Sequence, residues 1–152
     1  MDTKSSTRPR PGRVVTAFAL AVILVISVAA TSASAATTLT VAQALAAQDG
    51  RSTTVTGYVI GQPTASNTVI TSHFTADTAL AIADTATETN TGRMLYVQVT
   101  TAYRSSFGLL TNPSLRGRQI TATGTLTAYF SHGGLKSPTA MALVGGPAPS
   151  PT

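Results

Sequence analysis

The 152-residue sequence contains no cysteine and only two histidines, His73 and His132. Without cysteine the chain has no disulfide framework, no thiolate nucleophile and no attachment site for a lipoprotein lipid. The two histidines are the only side chains that ordinarily titrate near neutral pH, and each is expected to be a loop or turn residue. A zinc-ligand spacing, a phosphate-binding loop and a serine elbow are also missing from the sequence.

Charged residues make up only 10% of the sequence, and the formal net charge of +5 is concentrated near its start. Four of the ten basic residues and one of the five acidic residues precede residue 36, which leaves a net charge of +2 on the remaining 117 residues. Such a small surplus does not predict a strong phosphate-binding surface.

Residues 1–35 have the layout of a secretory signal peptide, with a basic start, an apolar stretch at 14–30 and the small residues Ala33-Ser34-Ala35. We expect cleavage before Ala36 and a secreted, extracellular protein. The alternative is that residues 14–30 remain as a membrane anchor, because 17 apolar residues lie at the lower limit for spanning a bilayer. The domain is expected to cover 36–144, followed by a disordered, proline-rich tail at 145–152.

Alternating apolar and polar residues predict strands over 53–60, 94–100 and 118–130. Residues 79–83 predict a buried strand, and 135–144 a weaker strand that Pro138 would place at a sheet edge. A short helix is predicted at 40–48, where Thr40 and Gln43 have the spacing of a capping box. Residues 102–110 are either a helix or a loop. These elements predict an all-β domain with one or two short helices, either a five-stranded OB-fold-like Greek-key barrel or a sandwich.

Asp84 and Glu88, four residues apart, are the carboxylates that invite a catalytic or calcium-binding hypothesis. Calcium loops carry three or more oxygen ligands in close register, and this segment does not, so a capping or turn role is expected for Asp84. A catalytic role would require both carboxylates to point into a cleft shared with His132. We therefore predict no enzymatic activity, no metal site and no cofactor.

Three tyrosines are predicted to lie on the exposed sides of three separate strands, while Phe130 is predicted to face the core. Exposed aromatic rings on a sheet stack on nucleobases, at roughly 1–3 kcal/mol for each contact, and pack equally well on sugar faces. Scattered basic residues would add phosphate contacts. The predicted ligand-binding residues are Tyr58, Tyr96, Tyr129, Arg104 and Lys136, with Arg93, Arg116 and Arg118 as further basic side chains. The alternative is that the tyrosines are ordinary strand-forming residues of a sheet surface, or that loops cover them.

Seven segments in a fixed order form a pattern across residues 38–142: TVAQA (40–44), GYVIG (57–61), LAIAD (80–84), NPSLRG (112–117), GTL (124–126), YF (129–130) and GLKS (134–137). The series resembles the N-terminal OB-fold-like domain of YhcR-type extracellular endonucleases of bacteria. The resemblance implies the barrel rather than the sandwich. In those larger proteins the similar domain precedes nuclease and phosphoesterase modules that carry the chemistry, so it implies an accessory module here.

The resulting hypothesis is a secreted, non-catalytic module that binds single-stranded nucleic acid or nucleotides. The second hypothesis is a cell-envelope interaction module that binds glycan or a protein partner, which the threonine-rich faces fit equally well. A membrane is expected as a partner only through an uncleaved signal segment.

Overall fold

The computed structural model describes residues 37–146 and Gly12, so the predicted signal peptide and most of the predicted tail lie outside the described residues. The strands are β1 (Thr38–Leu39), β2 (Ser52–Ala65), β3 (Thr68–Ile70), β4 (Ala79–Ala83), β5 (Leu95–Gln98), β6 (Gln119–Leu126) and β7 (Gly134–Leu143). The helices are α1 (Val41–Ala46) and α2 (Thr101–Phe107), with single 3-10 turns at Thr91–Arg93 and Pro113–Leu115.

Five strands close into a barrel in the order β2-β4-β5-β7-β6, because β6 pairs back onto β2. The β5–β7 pair is parallel and the other four pairs are antiparallel. Helix α2 connects the third and fourth barrel strands in chain order. A closed five-stranded barrel with its helix in this position is an OB-fold arrangement. The predicted OB-fold-like barrel is therefore confirmed, and the sandwich is wrong.

The barrel interior is filled by the apolar residues that alternate along each strand. Val55 and Val59 of β2 point inward, and the polar residues between them point outward. The inward set continues on the other strands with Leu80, Ile82, Leu95, Val97, Ile120, Ala122, Leu126 and Leu135. Alternation in the sequence thus correctly predicted which side of β2, β5 and β6 forms the core.

Helix α1 packs against this core through the fully buried residues Val41 and Ala44. Its start is the predicted capping box: the Gln43 amide donates to Thr40 Oγ1 at 3.2 Å, and the Thr40 amide donates to Gln43 Oε1 at 3.0 Å. Residues 102–110, for which a helix and a loop were both open, supply most of α2. The described part of the chain holds no helix with the length and hydropathy needed to span a bilayer.

Pro138 lies in the part of β7 that has a strand neighbour on one side alone, in agreement with its predicted edge position. Strand β5 pairs only with Gly134 and Leu135, whereas the rest of β7 pairs with β6. The β6–β7 register shifts between Thr123 and Thr125, and Ser137 adopts a φ of 51° at this irregularity. A bulge tolerates the missing proline N–H because the ladder is already interrupted there.

Candidate binding surface

The outer face of β4 and β5 is a small apolar surface. Ala79, Ala81 and Ala83 point outward from β4 because Leu80 and Ile82 between them fill the core. Their neighbours across the strand pair include Tyr96, which lies opposite Ala81. In OB-folds the second and third strands, here β4 and β5, form the face that binds oligonucleotides and oligosaccharides.

That face is covered by a segment of the same chain, the β2–β3 arm (residues 62–70). Val69 packs on the second apolar cluster, which comprises Ile60, Ala81, Ala83, Met94 and Tyr96. Ile70, at the end of β3, lies close over Gly61 because that residue lacks a side chain. A β-carbon at Gly61 would overlap the Ile70 carbonyl oxygen. At the base of the arm, Gln62 accepts from the amides of Thr75 and Ala76, in the loop that follows β3, at 2.8 and 3.2 Å.

Tyr96 lies beneath this cover, and the prediction that its ring is exposed is wrong. Its exposed fraction is 0%, and its hydroxyl donates to the Ser66 carbonyl oxygen at 3.0 Å. Burial raises the pKa of Tyr96 above 10.0. Strand alternation placed Tyr96 correctly on the outer side of the wall, but alternation does not reveal whether another segment covers that side.

A tight turn at 129–132 completes the cover. The His132 ring stacks on Tyr96 with ring centroids 4.1 Å apart, and its Nε2 donates to the Met94 carbonyl oxygen at 2.8 Å. Tyr129 packs against the same apolar cluster and its hydroxyl donates to the Thr78 carbonyl oxygen at 3.3 Å. His132 is thus a turn residue as predicted, but half-buried rather than solvated. The other histidine, His73, lies in an exposed loop.

The turn itself is conformationally strained. Phe130 and Ser131, its two central residues, have φ values of 53° and 54°, and Tyr129 and His132 exchange two backbone hydrogen bonds. This is type I′ geometry, which normally selects Asn-Gly because both central residues need positive φ. A bulky residue such as Phe130 in that region is a conformational outlier. Strain of this kind concentrates at ligand-binding and switch regions.

Phe130 is 38% exposed, so the prediction that it faces the core is wrong. Its ring meets Tyr129 edge-on, with centroids 4.6 Å apart. The strand predicted over 118–130 ends at Leu126, and alternation no longer applies beyond it. The signal that would have revealed this is the run of turn-forming residues that starts at Ser131 and continues through Gly133 and Gly134.

Arg104 is linked to the turn by a series of hydrogen bonds to backbone carbonyl oxygens. The Thr78 carbonyl oxygen that accepts from Tyr129 also accepts from the Val99 amide at 2.8 Å. Val99 in turn accepts from Arg104 Nε at 3.4 Å. Burial raises the pKa of Tyr129 above 10.0, and the nearby positive charge of Arg104 opposes part of that rise.

Lys136 lies beside the same end of the face. Leu135 fills the core, so Lys136 points outward from β7, opposite Thr125 of β6. Gln98, the last residue of β5, accepts from the Ser137 amide at 2.9 Å. We call the group formed by Tyr129, Phe130, Arg104, Lys136 and Gln98 the aromatic turn surface.

Tyr58 does not belong to the aromatic turn surface. It is half-buried on the outer side of β2 and pairs with Ala83, whereas Tyr129 bonds to Thr78. Five residues of extended chain separate those two contact points, or about 17 Å along the strand. The structure therefore brings together three of the five predicted residues (Tyr129, Arg104 and Lys136), buries Tyr96 and leaves Tyr58 at the far end.

The carboxylates Asp84 and Glu88 are engaged by backbone amides. Asp84 accepts from the Val41 and Ala42 amides at 2.6 and 2.9 Å, so it caps α1 and the predicted capping role is confirmed. Glu88 accepts from the two residues that follow it, at 3.0 and 2.8 Å. Both line a cleft of about 500 Å³ with Arg93, but His132 does not. The two carboxylates and His132 therefore do not share this cleft, and residues 37–146 hold no cluster of three potential metal ligands.

The fold and this surface define an OB-fold-like barrel domain whose usual ligand face is covered by its own arm and turn. The chain belongs to the family described as a domain of unknown function, DUF6359, whose model matches residues 39–144. It is also 38% identical over 100 residues to the endonuclease YhcR of Bacillus subtilis strain 168. That match covers 65% of this chain and only 8% of the endonuclease. No solved structure matches the chain.

Proposed function

We propose that this protein is a secreted, non-catalytic module that binds single-stranded nucleic acid through the aromatic turn surface. The observation that carries the proposal is the exposed Phe130 ring, which is held in a strained backbone conformation next to Tyr129 and Arg104. A phenylalanine at positive φ costs stability, and strain of this kind concentrates at ligand-binding sites.

The chemistry of the surface supports a nucleic-acid ligand. An exposed aromatic ring stacks on any base, and Arg104 and Lys136 supply positive charge for the backbone on either side of it. The similarity to a segment of an endonuclease supports the same ligand class. Since only two cations lie on the surface, we expect a shallow dependence of affinity on salt concentration.

The export part of the proposal depends on the sequence of residues 1–35, whose basic, apolar and small-residue regions follow the order of a signal peptide. Mass spectrometry of the protein recovered from culture medium tests it. A first residue of Ala36 is expected, and retention of the intact chain in the membrane fraction would contradict it.

The binding proposal is tested with two variants of one turn. Phe130→Asn removes the ring and Ser131→Gly keeps it, and both new residues adopt positive φ more readily than the native ones. Each variant should therefore be more stable than the native protein, by on the order of 1 kcal/mol. Fluorescence anisotropy with a short labelled oligonucleotide at low salt should show a loss of about 5- to 150-fold for Phe130→Asn, equivalent to one stacked base.

Ser131→Gly should retain the native affinity, which separates the loss of the ring from any change in the turn. Equal affinity of Phe130→Asn and the native protein would refute the surface, and no binding by the native protein would refute the ligand. Cell-wall polysaccharide in place of the oligonucleotide tests the glycan hypothesis. Here the threonine face is a weak candidate, because Thr54 and Thr123 bond to each other at 2.7 Å.

A further inference from the structure

A second site lies on the other side of the Asp77–Thr78 segment from the aromatic turn surface. A cleft of about 570 Å³ opens between the loop that follows β3 and the segment that follows α2. This volume falls within the range of about 300–1,000 Å³ that small-molecule sites occupy. Its lining combines four apolar residues with four polar residues, which we call its apolar wall and its polar wall.

The polar wall carries a cation that has no acidic partner. Arg116 is held by its Nε, which donates to the Ile60 carbonyl oxygen at 3.2 Å. Among residues 37–146 the one ion pair is Asp49–Arg51, so Arg116 has no acidic partner there; it lines this cleft and also a smaller one of about 280 Å³ that carries Glu88. His73 lies on the same wall.

Charge distinguishes this cleft from the two others in the described residues. Glu88 lines both of the other clefts, and Asp84 lines one of them. The lining of the Arg116 cleft includes no carboxylate. An anion is therefore favoured at this cleft over the other two, where Glu88 opposes the charge of Arg93 or of Arg116 itself.

The apolar wall is unusually exposed. Leu110 is 53% exposed, the largest fraction among the big apolar side chains of the described residues. Beside it lie Pro113 and Phe74, and the latter packs on the core while one side lines the cleft. A flat apolar wall that faces a guanidinium suits a ligand with an aromatic ring at one end and an anion at the other.

We propose that the Arg116 cleft binds a phosphorylated nucleoside, either a free mononucleotide or the phosphorylated end of an oligonucleotide. The base lies against Leu110 and Phe74, and the phosphate accepts hydrogen bonds from Arg116. The choice of a nucleoside rests on the proposed function, whereas the charge and shape argument stands without it.

The cleft and the aromatic turn surface are close enough for one strand to reach both. Asp77 accepts from the amide and hydroxyl of Thr111, next to Leu110, at 2.9 and 2.6 Å. The following residue, Thr78, accepts from Tyr129. An oligonucleotide with its terminal phosphate on Arg116 would pass from this cleft across the Asp77–Thr78 segment to Phe130.

The test is a titration of the protein with adenosine 5′-monophosphate, adenosine and inorganic phosphate, followed by the amide NMR signals of residues 109–111. The monophosphate should shift these signals at lower concentration than either fragment. Arg116→Gln should weaken that binding by about 10-fold or more, as expected for a charge-assisted hydrogen bond. Arg118→Gln is the matched control, because Arg118 is exposed and does not line the cleft.

His73→Asn is a second variant, chosen because asparagine tolerates the φ of 52° at this position. It should weaken monophosphate binding by a smaller factor than Arg116→Gln. A 5′-phosphorylated oligonucleotide that binds more tightly than its unphosphorylated form identifies the strand end as the source of the phosphate, and equal affinity of the two identifies the free mononucleotide.

Equal shifts with adenosine and its monophosphate, or equal effects of the Arg116 and Arg118 variants, would overturn the proposal. Its failure is distinguishable from failure of the aromatic turn surface, because Phe130→Asn should leave monophosphate binding unchanged. If the monophosphate shifts no signals while oligonucleotide binding still depends on Phe130, the cleft proposal alone is refuted.

Discussion

Replacing Tyr96 tests directly whether the outer face of β4 and β5 is covered. The ring is fully buried, stacks on His132 and donates its hydroxyl to Ser66. Truncating a fully buried aromatic ring to alanine costs about 3–5 kcal/mol of unfolding free energy. In a folded domain of this size that corresponds to a decrease of Tm on the order of 15 °C.

Two further variants separate the contributions to that cost. Tyr96→Phe removes only the hydrogen bond to Ser66, so we expect a loss of about 1 kcal/mol. Tyr58→Ala, at a half-buried position on the same side of the barrel wall, should cost about 1 kcal/mol because less apolar area is lost from the folded state. The assay is urea denaturation followed by far-ultraviolet circular dichroism, since the chain has no tryptophan and only four tyrosines.

The result that would refute the reasoning is a Tyr96→Ala variant that costs no more than Tyr58→Ala. The arm and the turn would then not cover the face in solution, and Tyr96 would become available for stacking as the sequence predicted.

Further variants test other features of the fold. Gly124→Ala should lower the unfolding free energy by about 1–3 kcal/mol, because its β-carbon would lie 2.6 Å from Leu135 Cδ2. Thermal unfolding measures the loss, and Gly92→Ala, at a position with more space, is the control. Asp84→Ala should cost about 1–2 kcal/mol through loss of the α1 cap, and denaturation should place Asp84→Asn between it and the native protein. Unfolding free energy should fall as pH rises above 10.0, because burial raises the pKa of Tyr96 in the folded state. A Tyr96→Phe variant whose stability falls equally over the same pH series would contradict that cause. Burial acts to raise the pKa of Asp77, but hydrogen bonds from Thr111 outweigh it and leave the pKa below 3.8, so stability should also fall as the pH drops below 3.8. The same acid dependence of stability in the native protein and in Asp77→Asn would contradict that linkage.

The sequence predicted the barrel well because its strands have one core side and one outer side. Period-two alternation identified β2, β5 and β6, and the capping box identified α1, since both signals depend on residues close together in the chain. For Asp84 the sequence predicted a capping or turn role but not the partners. The amides from which Asp84 accepts belong to Val41 and Ala42, far away in sequence. Local patterns carry no information about such distant partners.

The candidate site was predicted less well for the same reason. Alternation placed Tyr58 and Tyr96 correctly on the outer side of the barrel wall, but it treated every outward side chain as exposed. The arm that buries Tyr96 folds back at Ser66 and Asn67 and lies close over Gly61, and where it packs is a tertiary property. Phe130 was misassigned because alternation was extended past Leu126 into a turn whose central residues, Phe and Ser, are atypical for its geometry.

The cap on α1 also sets an order of events during folding. Asp84 and the Val41 amide are 43 residues apart, and α1 has only six residues, whereas an isolated helix needs about 12–15 to be stable. The helix gains its partner only after the chain through β4 has been synthesised and brought into place. The leading end of the domain therefore acquires its helix only after β4 is in place, so the residues of the domain that are synthesised first are among the last to become ordered.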